Sequence, residues 1–351
     1  MRVALDERYR DVAHQHIIGH EIVFYKSGVS ASLVAGRPPS GRMTEERFAA
    51  PDEFLDQVGD IEVLGCGGGG PWPFDERIIN ALPRLRFIQK IGAGTDWFDL
   101  DALNRRGILL ATNAGLNATS VADHLVMLML LCLRSALDPI LSLRQGEWVF
   151  VPPTRIVEVE DAIVGIIGFG KIGLQIARRV LAFGDVRVLA HRRRPLDPAT
   201  TPPGVRAAKL DELLRECEVV VLCLPLTPET DGLIGARELA LMKPGSVLIN
   251  GSRGGVVDEA ALYDALASGH LKAAASDVLA EEPPSPDNPL LRLPNFMGTP
   301  HMAGRSRRNS PRQLEQALEN INLFLAGGRP HRLVNPDVLE RGTTRGQELP
   351  T

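Results

Sequence analysis

Residues 161–173 read DAIVGIIGFGKIG. An unbroken apolar run, Ala162–Ile167, ends at Gly168, and Gly170 and Gly173 follow in G-x-G-x-x-G spacing. Such a run, bounded by glycine, reads as a buried strand. Beyond it Ile172, Ile176 and Val180 recur four apart, which puts them on one face of a helix over Lys171–Phe183. The glycines thus stand between strand and helix, the setting in which this spacing holds a dinucleotide pyrophosphate. Gly168 permits the tight turn, Gly170 lets a pyrophosphate approach the backbone, and Gly173 lets helix and strand pack. The helix N-terminus offers unsatisfied N–H groups and the positive end of its dipole.

Outward from this loop the pattern repeats. Val186–Ala190, Val219–Leu224, Ser246–Asn250, Leu271–Ser276 and Phe296–Gly298 read as further buried strands. Lys243-Pro244-Gly245 is a turn, and Asp258 is placed to cap a helix over Glu259–Ser268. Upstream, Arg2–Leu5, Glu21–Tyr25, Ile61–Leu64, Phe87–Ile91 and Ile108–Thr112 are short apolar segments. Helix-prone stretches, Asp52–Val58 and Asp99–Arg106, lie between them. Alternation of this kind predicts α/β layers on parallel sheets. Ser120–Leu137 reads as a helix that is apolar nearly all round, hence buried, and Arg312–Leu325 as a late helix. Residues 26–50 carry little pattern and read as irregular. The glycine run Gly67–Gly70 reads as loop, because four glycines weaken any element.

With 351 residues the chain exceeds one core of about 100–200 residues, so two domains are expected. A formal net charge of −4 gives no basic footprint for nucleic acid. The longest apolar run, Leu125–Leu133, is far short of the roughly 20 residues of a membrane span. The N-terminus reaches charge early and has no signal-peptide core. Cys66, Cys132, Cys217 and Cys223 form no C-x-x-C pair and read as buried thiols of a reducing compartment. A cytoplasmic protein that binds neither nucleic acid nor membrane, and holds no metal, is the expectation.

Three polar residues fall near the ends of late strands, where open α/β sheets place ligands. They are Arg253 in LINGSRGGVVD, Glu282 in SDVLAEEP and His301 in MGTPH. Singly, each could be an ordinary surface or satisfied residue. Together they have chemical logic. Arginine forks onto a carboxylate, histidine transfers protons near neutrality, and a carboxylate beside it favours the imidazolium. After the second strand come His191, Arg192, Arg193 and Arg194, where a ribose-binding acid would be usual. The arginines suit a 2′-phosphate, or are a solvated charge run. Trp72, Phe74, Trp97 and Phe98 could line a pocket or simply pack.

The chain resembles the D-isomer-specific 2-hydroxyacid dehydrogenases, in their glyoxylate/hydroxypyruvate reductase-like branch. The matching stretches are NAGLNATSVADH (113–124), VGIIGFGKIG (164–173), the run 224–262, SDVLAEEP (276–283) and TPHMAG (299–304). The resemblance implies two Rossmann-like, doubly wound parallel-sheet domains, with a nucleotide domain inserted into a flavodoxin-like substrate domain. The expected division is 1–113 and 304–351 for substrate and 114–303 for dinucleotide. The implied activity is hydride transfer between NADP, or NAD, and a small 2-oxo acid or D-2-hydroxy acid. Arg253 would hold the 2-oxo acid, Glu282 would support the histidine, and His301 would transfer the proton. Backbone N–H groups of Gly92, Ala93 and Gly94 would meet the substrate carboxylate. The implied cofactor set begins with Gly168, Phe169, Gly170, Lys171, Ile172 and Gly173. It continues through His191, Arg192 and Arg193 to Leu224, Pro225 and Thr230. It ends with Gly251, Ser252, Arg253, Asp277, His301 and Gly304, with Asp277 near the nicotinamide amide.

The family also implies a homodimer through the segment around Asp138–Pro153. Departures are the Gly251-Ser252 pair, the Gly65–Gly70 stretch and residues 26–50. Little chain follows Asn335–Leu339, so no regulatory domain is expected there, and Glu282 argues against the formate dehydrogenase branch. Two other activities fit the scaffold: a non-enzymatic, corepressor-like dinucleotide sensor and a phosphite-type dehydrogenase.

Overall fold

The computed structural model describes residues 1–25, 51–67 and 74–343. The readings of 26–50, of Gly68–Gly70 and of Trp72 lie outside the described residues. In chain order come β1 (Arg2–Asp6), α1 (Arg10–His16), β2 (Glu21–Tyr25), α2 (Pro51–Val58), β3 (Val63–Gly67), α3 (Glu76–Ala81), β4 (Phe87–Ile91), α4 (Leu100–Arg106) and β5 (Leu109–Thr112). Next are α5 (Ala118–Leu133), α6 (Leu137–Arg144), β6 (Ile163–Ile167), α7 (Lys171–Val180), β7 (Arg187–His191), β8 (Val205–Ala207) and α8 (Leu210–Glu216). Then follow β9 (Val219–Leu222), α9 (Ala236–Leu241), β10 (Val247–Asn250), α10 (Glu259–Ala267), β11 (Ala273–Ser276), β12 (Phe296–Gly298), α11 (Asn309–Leu325) and α12 (Asp337–Thr343).

The chain divides into two compact units. One takes in Met1–Leu116 and Arg307–Thr351 as far as these are described. Its five strands are parallel, in the order β2-β1-β3-β4-β5. This is the flavodoxin-like order. Alternate strand residues feed two cores, as the period of two requires. Leu64, Ile88 and Leu110 pack with Ile78, Ile79 and Leu103 on one face. Val63, Phe87 and Leu109 pack with Leu318, Ile321 and Phe324 of α11 on the other. Phe87 stacks on Phe324 at 4.8 Å between ring centroids, and both are fully buried. Burying one such side chain contributes about 1.5–3 kcal/mol. Asp99 caps α4 by accepting from Ala102 N at 2.8 Å, and Gly107 ends it in the left-handed region.

The second unit is Asn117–Ser306. Its seven parallel strands run β12-β11-β10-β9-β6-β7-β8. The order reverses beside β6, which pairs with both β7 and β9, and ligands collect at the carboxyl ends of strands at such a point. Both faces are covered. Val164, Ile166, Ile176 and Val180 join the core under α5, while Ile163, Ile167, Leu213 and Leu266 join the opposite one.

Several local expectations need correction. Gly67 ends β3 rather than opening a loop. Gly65 lies inside that strand, where a Cβ would stand 2.3 Å from Leu5 Cδ2, so glycine serves packing there. The apolar helix expected to Leu137 stops at Leu133, and Ser135 turns left-handed at φ +47° before α6 begins. The two axes meet at 82°. α7 ends at Val180 and tightens into a 3₁₀ turn over Leu181–Phe183. α11 starts three residues early, at Asn309, because Pro311 falls in its first turn and gives up no helical hydrogen bond. The four cysteines are unpaired. Burial pushes Cys66 up to about 11, and Cys132, Cys217 and Cys223 up to about 12. Among the described residues no single helix is long and apolar enough to cross a membrane.

Candidate active site

β6 delivers the chain into the glycine loop at the switch point. Gly168 adopts φ +96°, and a Cβ there would lie 2.6 Å from the carbonyl carbon of Cys223. Its N–H donates to His191 O at 2.9 Å, and Cys223 Sγ donates to its oxygen at 3.0 Å. A Cβ on Gly173 would stand 2.7 Å from Gly168 O, so glycine lets α7 close onto the turn. Gly170 differs: a Cβ there would meet nothing within 4 Å. It is the N-cap of α7 and has no side chain to cap with, so the helix's first N–H groups are left for a ligand. This open ground over a helix N-terminus fits a pyrophosphate. Lys171 and Ile172 occupy the first turn, while Phe169 is buried.

β7 ends at His191, whose Nδ1 lies 3.1 Å from Ala208 O. Arg192 follows and folds back, donating from a guanidinium nitrogen to Phe169 O at 3.2 Å. It is exposed, as are Arg193 and Arg194. The segment after β9 crosses the same ground. Thr230 Oγ1 donates to Pro225 O at 2.7 Å and accepts from Thr227 N at 2.8 Å, which fixes the turn behind Leu224. The Glu229 carboxyl sits below its ordinary range, chiefly through the Thr227 hydroxyl, with the Arg193 charge contributing.

Arg253 is carried just past β10. Asn250 organises that loop: its Oδ1 accepts from Ser252 N and Oγ at 3.0 and 2.6 Å, and its Nδ2 donates to Arg253 O at 3.1 Å. Gly251 backs onto Leu125, and a Cβ on Gly254 would meet Leu279 C at 2.0 Å. That close approach brings Arg253 to the segment bearing Glu282. Glu282 Oε1 accepts from Leu279 N at 3.2 Å, and Oε2 lies 2.7 Å from His301 Nδ1. Burial pushes the Glu282 carboxyl up, but the His301 hydrogen bond and charge, the Leu279 N–H and the Arg253 charge together bring it below its ordinary value of 4.5. The carboxylate is therefore ionised at neutral pH. His301 itself is half-exposed and stands at φ +46°, unusual for a histidine. Among the described residues its Nε2 has no hydrogen-bond partner. Asp277, expected beside the nicotinamide amide, is buried, and both carboxylate oxygens turn into the loop carrying His301. They accept from Thr299 Oγ1, Met302 N and Ala303 N at 2.6, 2.9 and 2.8 Å. Gly304 closes that loop against Asn117.

The second unit thus gathers Gly168–Gly173, Arg192, Arg253, Asp277, Glu282 and His301 at the carboxyl ends of its strands. Gly92, Ala93 and Gly94 belong to the other unit, directly after β4. There Gly92 takes φ +130°, and its N–H is already committed to Asn113 Oδ1 at 3.2 Å. Among the described residues the Ala93 and Gly94 N–H groups meet no acceptor, so they are the donors this turn can offer. Phe74 and Phe98 pack together at 5.6 Å inside that unit's core, while Trp97 is exposed. Sequence reasoning missed Asn250, Gly254, Thr299 and His124 as parts of the site. All four lie within quoted motifs, but spacing alone assigns them no partner.

Comparison with known proteins finds chains of similar sequence and fold. Residues 126–303 match the family model described as D-isomer specific 2-hydroxyacid dehydrogenase, NAD binding domain. The D-3-phosphoglycerate dehydrogenase of Archaeoglobus fulgidus is 39% identical over 72% of this chain, but the match spans only 46% of that longer relative. Glyoxylate/hydroxypyruvate reductase B of Pectobacterium atrosepticum is 36% identical over 79% of this chain and 86% of its own length. Among solved structures, an NADPH-dependent glyoxylate/hydroxypyruvate reductase from Sinorhizobium meliloti, in complex with NADP and malonate, superposes with a TM-score of 0.76. It is 25% identical and covers 95% of this chain and 96% of its own.

Proposed function

This chain belongs to the D-isomer-specific 2-hydroxyacid dehydrogenase family, and we propose that it works as an NADPH-preferring reductase of a small 2-oxo acid such as glyoxylate or hydroxypyruvate. The family activity is hydride transfer between a nicotinamide cofactor and a small 2-oxo or D-2-hydroxy acid. When bound, the reduced dinucleotide supplies the hydride that reaches the substrate's C2.

The chain's residues do the rest. The Gly168–Gly173 turn and the N-terminus of α7 hold the pyrophosphate. Arg253 forks onto the substrate carboxylate; within the other unit the Ala93 and Gly94 N–H groups are donors open to a carboxylate. His301 delivers a proton from Nε2 to the carbonyl oxygen as that oxygen gains charge, a role worth about 10²–10⁴-fold in rate. Glu282, kept ionised, lies 2.7 Å from Nδ1 and accepts its hydrogen, which fixes the ring with Nε2 open. The single observation that carries the reading is this 2.7 Å pair, with Nε2 open and Arg253 close enough for its charge to act on Glu282. In this reading residues 114–303 are the dinucleotide domain, and 1–113 with 304–351 the substrate domain.

The NADPH preference rests on Arg192. An acid at that place would accept the ribose hydroxyls and repel a 2′-phosphate, whereas arginine can only donate. Its guanidinium already reaches over the glycine loop, tethered by one bond to Phe169 O, and its remaining donors suit phosphate oxygens. One charged hydrogen bond of about 1.5–3 kcal/mol corresponds to a preference of about 10- to 100-fold.

A homodimer in the cytoplasm completes the proposal. Trp148 and Phe150 are 77% and 82% exposed, and Ile140, Leu141, Leu143 and Val149 are exposed beside them in sequence. An apolar patch of this kind marks an interface.

The test is a panel of small 2-oxo acids assayed with NADPH and with NADH, on the parent and on Arg192→Asp. We expect turnover that favours NADPH in the parent, and a shift toward NADH in the variant. Equal efficiency with both cofactors removes the NADPH reading. Dinucleotide binding without turnover of any 2-oxo acid returns the chain to the sensor class.

A further inference from the structure

We infer that His124 is a positioning residue of the reaction, acting on His301 through a hydrogen-bonded relay of Thr299 and Asp277. The inference rests on the reading of His301 as the proton donor.

His124 projects from α5 and is nearly buried, with a side-chain exposure of 12%. Its Nε2 lies 2.9 Å from Thr299 Oγ1 and 3.5 Å from Asp277 Oδ1. Thr299 Oγ1 lies 2.6 Å from Asp277 Oδ1. The directions follow from donor chemistry. An ionised carboxylate can only accept, so the Thr299 hydroxyl donates to Asp277. Its one proton is then spent, so Thr299 Oγ1 must accept from His124, and Nε2 must carry hydrogen. The hydroxyl is thereby held in a single orientation.

Asp277 is the hub. Its carboxylate also takes Met302 N and Ala303 N, and its backbone oxygen takes His301 N at 2.8 Å. Four contacts from one residue therefore fix the segment 299–303. That segment includes His301 at φ +46°, a conformation that strains a side-chain-bearing residue and persists only where its surroundings over-determine it. Removing the His124 donor frees the Thr299 hydroxyl to rotate and loosens Asp277. The strained histidine backbone can then relax, and Nδ1 leaves its register on Glu282. The effect falls on the reacting geometry, where small displacements are costly, and not on the glycine loop.

The experiment compares His124→Leu, His124→Gln, Thr299→Val, His301→Gln and the His124→Leu/His301→Gln double variant in the full chain. kcat and KM for the 2-oxo acid, NADPH affinity by fluorescence and melting temperature are measured for each. His124→Leu and Thr299→Val are expected to lower kcat about 5- to 100-fold, with NADPH affinity within about twofold of the parent. Glutamine, whose amide nitrogen reaches about as far from the helix as Nε2, should recover most of the loss. The double variant should be no slower than His301→Gln alone, because the relay acts only through His301. Parent-like kcat in the leucine or valine variant overturns the inference. So does a glutamine variant as slow as leucine, or losses that multiply in the double variant. If His124→Leu does not fold, Thr299→Val alone decides by the same criterion. The two readings fail separately: His301→Gln at parent turnover unseats the proton donor, whereas its collapse beside unimpaired His124 and Thr299 variants removes the relay alone.

Discussion

Gly170→Ala should separate binding from folding. At Gly170 the backbone, φ −98° and ψ −152°, is open to alanine, and the added Cβ meets no protein atom within 4 Å. Losing a glycine N-cap and stiffening the unfolded chain oppose one another, so stability should stay within about 1 kcal/mol. The new methyl instead occupies the ground over the α7 N-terminus. Displacing one charge-assisted phosphate contact there weakens dinucleotide binding by about 1.5–3 kcal/mol, or about 10- to 100-fold. Gly168→Ala is the contrast. It puts a Cβ on a φ of +96° and 2.6 Å from the Cys223 carbonyl. Backbone strain of about 1–3 kcal/mol comes before any displacement of β9's exit. Its melting temperature should fall by about 2–12 °C. The assay is NADPH titration by fluorescence alongside thermal unfolding. A Gly170→Ala protein that binds NADPH as tightly as the parent would refute the reasoning, because the pyrophosphate would then not pass over this residue.

Glu282 gives a pH signature. Its folded value lies below the ordinary 4.5, so the stability it contributes is present above the unfolded value and is lost as pH falls through the folded one. The melting difference between parent and Glu282→Gln should therefore stand at about pH 6 and shrink below about pH 4.5, and an equal difference at both ends would count against the ionised pair. Replacing Trp148 and Phe150 with serine should shift sedimentation from dimer to monomer. A parent that already sediments as a 351-residue monomer at micromolar concentration would dispose of the interface.

The strands were legible because a sheet covered on both faces demands continuous apolar runs. Ile163–Ile167 and Val219–Leu222 declare themselves in this way. The Asp258 cap was legible because its chemistry is local, and it accepts from Ala260 N and Ala261 N. β8 was not, since its three residues are partly or fully exposed and carry no buried pattern. Nor was the break after Leu133, because apolar residues continue on both sides and only the turn at Ser135 interrupts them. Arg253, Glu282 and His301 could be singled out because each stands near a strand end. The commitment of the Gly92 N–H to Asn113 and the relay from His124 depend on long-range contacts, 21 and 175 residues apart. No periodicity encodes such contacts.

The proposed reaction turns on His301, paired with Glu282, delivering the proton to a 2-oxo acid. The most direct measurement is kcat of His301→Gln on the best substrate of the panel, with NADPH affinity determined on the same preparation. A loss of about 10²–10⁴-fold in kcat is expected, with an affinity within about twofold of the parent. Parent-like turnover in the variant would contradict it.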